Sequence, residues 1–295
     1  MTFTLSNLLQ EFLLRTGQIR NGMATGGATT YVLDTFRNGE GRDKAWINGT
    51  FFCIESGDGL APEGEFAHIS ASLASSWRLT FSTALTDTVD SGDFYGYTGP
   101  EYPLFDLIRL ANSALRKLGP LDLVDVTTLD SVSSQSRYAA SAAWKNPQGP
   151  YRVDTASSSD ADDPQWINEV DFDWEPDEAG SGGYILIPTY PKYSSRDIRV
   201  WYRSNHPNVS AYSDVIDARI DTEVAIQALL SAGLDWNNTR IRGGDKFLLK
   251  RSSKAEADLV SAREEQPVEK ASAKSKLLTL NWRSRRLWPG DRNPR

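Results

Sequence analysis

The sequence predicts an α+β fold, in which a small antiparallel β-domain and a β-sandwich-like unit pack with several helices and are followed by an extended C-terminal arm. Short runs of alternating or β-branched residues recur between Gly, Asp and Ser, as is typical of antiparallel strands. Residues 5–16 and 104–118 instead place apolar side chains at helical spacing. After Pro267 the composition changes to Lys, Ala and Ser and then to Arg and Trp, which indicates an arm.

Residues 1–120 are predicted to form one domain, made of an N-terminal helix, a β-domain and a closing helix. The first helix has an apolar face and ends at Gly17. The closing helix has Pro103 in its first turn and is stopped by Gly119 and Pro120. Asn48-Gly49 is a turn dipeptide, so residues 45–54 are either one strand with a break or two strands. The other strands are expected at 29–33, 65–72, 76–82 and 93–97.

Residues 121–235 are predicted to form the β-sandwich-like unit together with a helix. That helix is capped by Asp221 or Thr222 and is expected to end at Gly233. Residues 236–266 are predicted to contain a charged surface helix from about Asp245, and residues 267–295 to form the extended basic arm. The strands of the unit are expected at 121–130, 166–174, 184–188 and 197–203.

The net charge of −7 is unevenly distributed. From Pro267 onward eight basic residues oppose two acidic ones, so the arm carries about +6 and the rest of the chain about −13. A basic arm on an acidic body suggests docking onto an acidic partner, which could be another copy, a different protein or nucleic acid. No run of about 18 apolar residues occurs, so we predict no membrane span. The N-terminus is interpreted as an amphipathic helix and not as a signal peptide.

Few side chains offer reactive chemistry. Cys53 is the single cysteine, which excludes an internal disulfide and a multi-cysteine zinc site, and its apolar surroundings predict burial. His68 is expected in a strand and His206 in a surface loop, and neither belongs to a spaced catalytic triad. The glycines at 22–27 lack the Lys-Ser/Thr of a phosphate loop. We therefore predict no catalytic, cofactor or metal site and no enzymatic activity.

Two segments are candidates for binding a partner. The acid-rich stretch before residue 180 lacks the EF-hand pattern, and its alternation predicts a solvated or interface-facing acidic strand face. In the arm, Arg and Trp could stack on nucleic-acid bases or act as anchors at a protein interface, or the arm could be disordered. The candidate residues are Asp171 and Asp173 in the first segment and Trp282, Arg283, Arg285, Arg286, Leu287 and Trp288 in the second.

Two stretches resemble proteins of the tailed-bacteriophage neck, the head-to-tail adaptor or connector family. One contains TGGATTYVLDT, NGTFFCIESG and YPLFDLIRLANSALRKLG, a small β-domain followed by a helix of the pattern found in virion proteins. The other is YILIPTYPKYSSRDIRVWYRSNHPNVSAYSDVIDARIDTEVAIQALLSAG, which is similar to the β-sandwich and helix of neck proteins. Together the two stretches cover most of residues 20–235.

The resemblance implies a structural virion protein, assembled in the host cytoplasm. Such adaptors form a homo-oligomeric ring, typically of twelve copies, below the portal protein. The ring docks a downstream tail or neck protein, and DNA passes through its channel without sequence-specific binding. An acidic channel wall would let DNA slide. The alternative is a tail-tip or baseplate protein that recognises a host surface glycan through Trp144, Trp166, Trp174, Tyr190 and Tyr193.

Overall fold

The structure is a computed structural model of the chain. It describes residues 2–57, 59, 62–132, 135–145, 149–157, 165–167, 170–175, 183–187, 195–240 and 246–265. Helices and antiparallel sheets both occur, which confirms the predicted α+β class, and the sheets are not closed. Among the described residues, the chain divides into unit 1, residues 2–120 and 205–265, and unit 2, residues 121–204. Unit 2 is therefore an insertion in the chain of unit 1.

Unit 1 contains four helices and seven of the strands. The strands form one antiparallel sheet in the order β1-β7-β4-β5-β6-β3-β2. The elements are α1 (Leu5–Thr16), β1 (Arg20–Met23), β2 (Gly26–Ala28), β3 (Tyr31–Leu33), β4 (Thr50–Glu55), β5 (Phe66–Leu73), β6 (Arg78–Phe81), β7 (Phe94–Tyr97), α2 (Leu104–Lys117), α3 (Thr222–Arg240) and α4 (Lys246–Glu265).

Local signals place the first two helices correctly. Helix α1 is capped by Thr4, whose side chain accepts from the Asn7 amide, and it ends at Gly17 in the left-handed conformation. Helix α2 begins directly after Pro103 and is followed by Gly119 at φ 95°. Strand β4, by contrast, begins only at Thr50. Residues 43–48 form turns, in which Asn48 has a φ of 71°.

Aromatic side chains fill the core of the unit 1 sheet. Phe51, Tyr95 and Trp77 are buried at its centre, with the Trp77 and Tyr95 ring centroids 5.6 Å apart. Pairs at this separation add to the stability that burial of apolar area supplies. The other buried members of the cluster are Ala24, Val32, Cys53, Ala67, Ile69, Leu79, Phe81, Leu85, Val89 and Tyr97.

Helix α3 continues through Gly233 to Arg240, so the predicted helix end at Gly233 is wrong. Gly233 is the point at which α3 approaches α1: a Cβ atom there would lie 2.5 Å from the Phe12 ring. The glycine thus permits close helix packing and does not stop the helix. Helices α1 and α2 contact each other, and both contact α3. The predicted segment 121–235 is therefore divided, with its strands in unit 2 and its helix in unit 1.

Unit 2 has two antiparallel sheets around one core. Their orders are β11-β10-β14-β8 and β12-β13-β9. The core includes Tyr138, Trp144, Val153, Ile185 and Val200. Both sheets contribute to it, as in a sandwich. The strands are β8 (Leu121–Asp130), β9 (Arg137–Ala139), β10 (Pro150–Ala156), β11 (Trp166–Ile167), β12 (Asp173–Glu175), β13 (Tyr184–Leu186) and β14 (Asp197–Ser204).

The length and the polarity of the helices can be compared with what a membrane span requires. In the described ranges, no helix combines the length and the apolar character that a bilayer crossing requires. Helix α4 is the most charged of the four, and most of its side chains whose burial is described are exposed.

Candidate functional site

The two groups of residues predicted to bind partners lie in different parts of the chain. Trp282, Arg283, Arg285, Arg286, Leu287 and Trp288 lie outside the described residues. Asp171 and Asp173 are described, and both are exposed. Phe172 and Trp174, which alternate with them, pack against the core of unit 2. We call the exposed carboxylates Asp171, Asp173 and Glu175 the acidic face.

Strand pairing holds the acidic face in place. Strand β12 pairs with β13, with Asp173 opposite Leu186 and Glu175 opposite Tyr184. Glu175 also forms an exposed ion pair with Arg137, at 3.2 Å. Because the intervening aromatic residues pack inward, the backbone of the acidic face is held by the core although its carboxylates point to solvent.

A hollow in unit 1 runs along helix α2 and has a volume of about 770 Å³. We call it the α2 cleft. Phe105 lies at one end and is 72% exposed. Asn208 and Ser210 line the wall opposite the helix. The remaining lining residues are Ile108, Arg109, Asn112, Ser113, Arg116, Lys117 and Val209.

Asn112 joins the two walls of the α2 cleft. Its amide nitrogen donates to the carbonyl oxygen of Val209 at 2.7 Å, and its amide oxygen accepts from the Val209 N–H at 2.9 Å. Arg116 donates to the side chain of Asn208 at 2.6 Å. A side-chain amide that satisfies both backbone groups of one residue fixes that residue in position. The cleft is therefore already formed before any ligand or partner binds.

The loop that supplies this wall is held by His206, which is 5% exposed. The His206 Nε2 accepts the backbone N–H of Asp217 at 3.0 Å, and its Nδ1 lies 2.7 Å from the carbonyl oxygen of Pro207. This pattern fits a neutral ring with the proton on Nδ1. The prediction of a surface position for His206 is wrong, because the ring is buried where both of its nitrogens contact backbone groups of the fold. His68 lies in β5 and is half-buried, as a strand residue should be.

The α2 cleft is strongly basic. Its lining includes the exposed cations Arg109, Arg116 and Lys117 and no carboxylate. Cations grouped without counter-charges raise the local potential and favour an anionic ligand or partner. Phe105, Ile108 and the buried Val209 are the apolar residues of the lining, and the three cations make the cleft suit an acidic partner.

Cys53 is buried, as the sequence predicts. Burial, and to a smaller extent the nearby carboxylates Asp93, Glu63 and Glu65, together raise the pKa of its thiol to about 12. The thiolate is the nucleophilic form of cysteine, so a thiol with this pKa is almost entirely unreactive at neutral pH.

We expect native protein to resist alkylation at Cys53. Iodoacetamide at pH 8 should modify the folded protein at least tenfold more slowly than the urea-unfolded protein. Folding both shields the sulfur from the reagent and lowers the fraction of Cys53 that is present as thiolate. Mass spectrometry of timed samples measures both rates. Equal rates in the two states would contradict the burial of Cys53.

A buried carboxylate organises one face of the four-stranded sheet of unit 2. Asp154 is fully buried and accepts from Arg152 at 2.8 Å, from Arg199 at 2.9 Å and from the indole of Trp201 at 2.7 Å. The Arg199 guanidinium also stacks over Trp166 at 4.2 Å. The two cations compensate the buried carboxylate and are themselves partly exposed, so we assign the cluster a structural role. Sequence reasoning missed it, since its members come from three strands.

The aromatic residues proposed for glycan recognition are not grouped on an open surface in the part of unit 2 that is described. Trp144 is fully buried and its indole donates to Asp125 at 3.1 Å. Trp174 packs on the core, and Trp166 is half-buried beneath Arg199. Tyr190 and Tyr193 lie outside the described residues. Glycan recognition stays a prediction without support from this arrangement.

Comparison with known proteins provides no further assignment. No family model and no curated protein sequence matches the chain. Among the described residues, no group of three His, Cys, Asp or Glu side chains is placed to hold a metal ion. The α2 cleft and the acidic face are therefore the features on which a function can be argued.

Proposed function

We propose that this chain is a structural virion protein, a head-to-tail adaptor that forms a homo-oligomeric ring below the portal of a tailed bacteriophage. The observation that supports this proposal best is the α2 cleft, a preformed hollow with three exposed cations and an exposed aromatic residue at its end. Arg and aromatic residues are the commonest energetic centres of protein interfaces. A cleft of this kind suits docking onto another protein.

The side chains with catalytic potential support the same view. Cys53 is buried with a raised pKa, and His206 uses both ring nitrogens to hold a loop. In the proposal these residues stabilise a rigid scaffold, and the charged surfaces select the partners. The partners are further copies of the chain, the portal protein and a downstream tail or neck protein, and DNA passes through the channel.

Mass measurement of the purified protein tests the proposal. We expect multi-angle light scattering to give a defined multiple of the 32.7 kDa chain mass, either alone or after addition of the portal protein. Assembly through charged surfaces should weaken as salt is raised, because exposed charges are screened. A monomer under both conditions would contradict the adaptor function.

Deletion of residues 267–295 tests the role of the basic arm. If the arm docks onto the portal, the truncated chain should lose portal binding while its melting temperature changes little. A matched control replaces Arg283, Arg285 and Arg286 with lysine, which keeps the charge but removes bidentate hydrogen bonding. Unchanged portal binding by the truncated chain would assign the arm to another partner.

A further inference from the structure

We propose that the α2 cleft of one copy binds the acidic face of a second copy. The inference deepens the proposed function and rests on it, because it names the contact by which neighbouring copies in the ring would recognise each other. Its first support is charge. The cleft presents Arg109, Arg116 and Lys117 with no carboxylate in its lining, whereas the acidic face presents the exposed carboxylates of Asp171 and Asp173 beside Glu175, which is ion-paired with Arg137.

The two surfaces also match in length. Asp171 precedes β12 by two residues, and the row from Asp171 to Glu175 spans about 13 Å if the chain is extended at 3.3 Å per residue. On α2, the row from Arg109 to Lys117 spans about 12 Å at 1.5 Å per residue. Strand β12 holds Asp173 and Glu175, and α2 holds the cations, so these parts of the backbone need not become ordered when the contact forms.

The occupant we infer is a second copy and not nucleic acid. The chain outside the arm carries about −13, and such a body repels a polyanion except at the cleft itself. The stretch from Asp160 to Glu178 contains nine acidic residues and no basic residue, so it supplies a concentrated partner for the cleft within the same sequence. Binding of DNA in the cleft is the competing outcome of the test.

The proposed contact is heterologous, because the cleft and the acidic face are different surfaces. Each copy then binds one neighbour through its cleft and another through its acidic face, so copies add head-to-tail in one direction. Such an arrangement closes into a ring when the rotation between copies divides a full turn. Phe105, exposed at the end of the cleft, would be covered by the neighbouring copy.

Charge reversal on each side tests the contact. The cleft variant carries Arg109→Glu and Lys117→Glu, and the face variant carries Asp171→Lys and Asp173→Lys. We expect each variant alone to self-associate at least tenfold more weakly than the wild type in sedimentation velocity at low salt. An equimolar mixture of the two variants should recover assembly. The acidic cleft of the cleft variant is complementary to the basic face of the face variant, and the unchanged cleft of the face variant is complementary to the unchanged acidic face of the cleft variant.

A control variant separates this contact from general charge effects. The control carries Arg42→Glu and Lys254→Glu, which change the net charge by the same amount as the cleft variant. Both positions are exposed and lie outside the α2 cleft. The control should assemble like the wild type. Circular dichroism melting of all variants checks that each remains folded. If the cleft variant and the face variant both assemble like the wild type, the inference is wrong. That result would not contradict the adaptor function.

Zero-length cross-linking gives a readout that does not require a stable ring. A carbodiimide couples a lysine amine to a carboxylate that touches it, so a mixture of normal and isotope-labelled copies should yield mixed-isotope peptides joining Lys117 to Asp171 or Asp173. Such peptides from a protein that stays monomeric by mass would support the contact and contradict the ring. If the cleft variant instead loses binding to a 30-base-pair DNA and keeps its self-association, the inference is overturned in favour of nucleic acid.

Discussion

Replacing Asp154 with alanine is expected to lower the free energy of unfolding by about 3–5 kcal/mol, the cost of removing one partner from a buried ion pair. Asp154 is fully buried, whereas Arg152 and Arg199 are only partly covered. The substitution removes the acceptor shared by two guanidinium groups and the Trp201 indole. Partial solvation of the arginines limits the penalty, so we expect a value near the lower end of the range.

Urea denaturation followed by tryptophan fluorescence measures this effect. The matched control is Glu175→Ala, which removes the carboxylate of an exposed ion pair in the same unit and should cost about 0–1 kcal/mol. Asp154→Asn keeps one acceptor oxygen and should fall between the two. If Asp154→Ala costs no more than Glu175→Ala, the Asp154 cluster does not stabilise unit 2.

Replacing Gly233 with alanine is expected to destabilise unit 1 by up to about 2 kcal/mol. The added Cβ would lie 2.5 Å from the Phe12 ring, which is almost fully buried and cannot turn away. Overpacking of this kind costs about 1–3 kcal/mol. The greater helix propensity of alanine offsets about 1 kcal/mol of that cost.

A double-mutant cycle with Phe12→Leu isolates the steric part. Leucine at position 12 removes the ring atoms that the new methyl group would meet, so Gly233→Ala in that background should be neutral or stabilising by up to about 1 kcal/mol. The coupling energy between the two positions should then be about 1–3 kcal/mol. Simple additivity of the two substitutions would contradict the close approach of α1 and α3 at Gly233.

The charges of this chain have different roles according to their burial. Asp154 is enclosed and stabilises one unit, and its net contribution comes from matched hydrogen bonds. Arg109, Lys117 and Asp171 are exposed and add little to stability, but exposed charges speed association and discriminate between partners. The proposed contact between copies uses only charges of the second kind, which explains why reversing them should leave the fold intact.

Several elements of the fold were predictable because their signals are local. Both α1 and α2 have an apolar stripe and are followed by a glycine, and α2 also has a proline at its start. These signals predict the bounds of the two helices. The outward direction of Asp171 and Asp173 follows from alternation with Phe172 and Trp174, since neighbouring strand residues face opposite sides. The burial of Cys53 follows from its apolar neighbours.

The sequence by itself thus determined the α+β class, the first two helices, the burial of Cys53 and the position of the acidic face. Only the tertiary structure decided that α3 passes through Gly233, that Asn112 holds Val209 and that His206 lies inside the fold. The physical reason is separation along the chain. A helix cap and the alternation of a strand depend on residues only a few positions apart in the chain. The need for glycine at position 233 instead depends on the Phe12 ring, and the hydrogen bonds of Asn112 depend on a backbone 97 residues away.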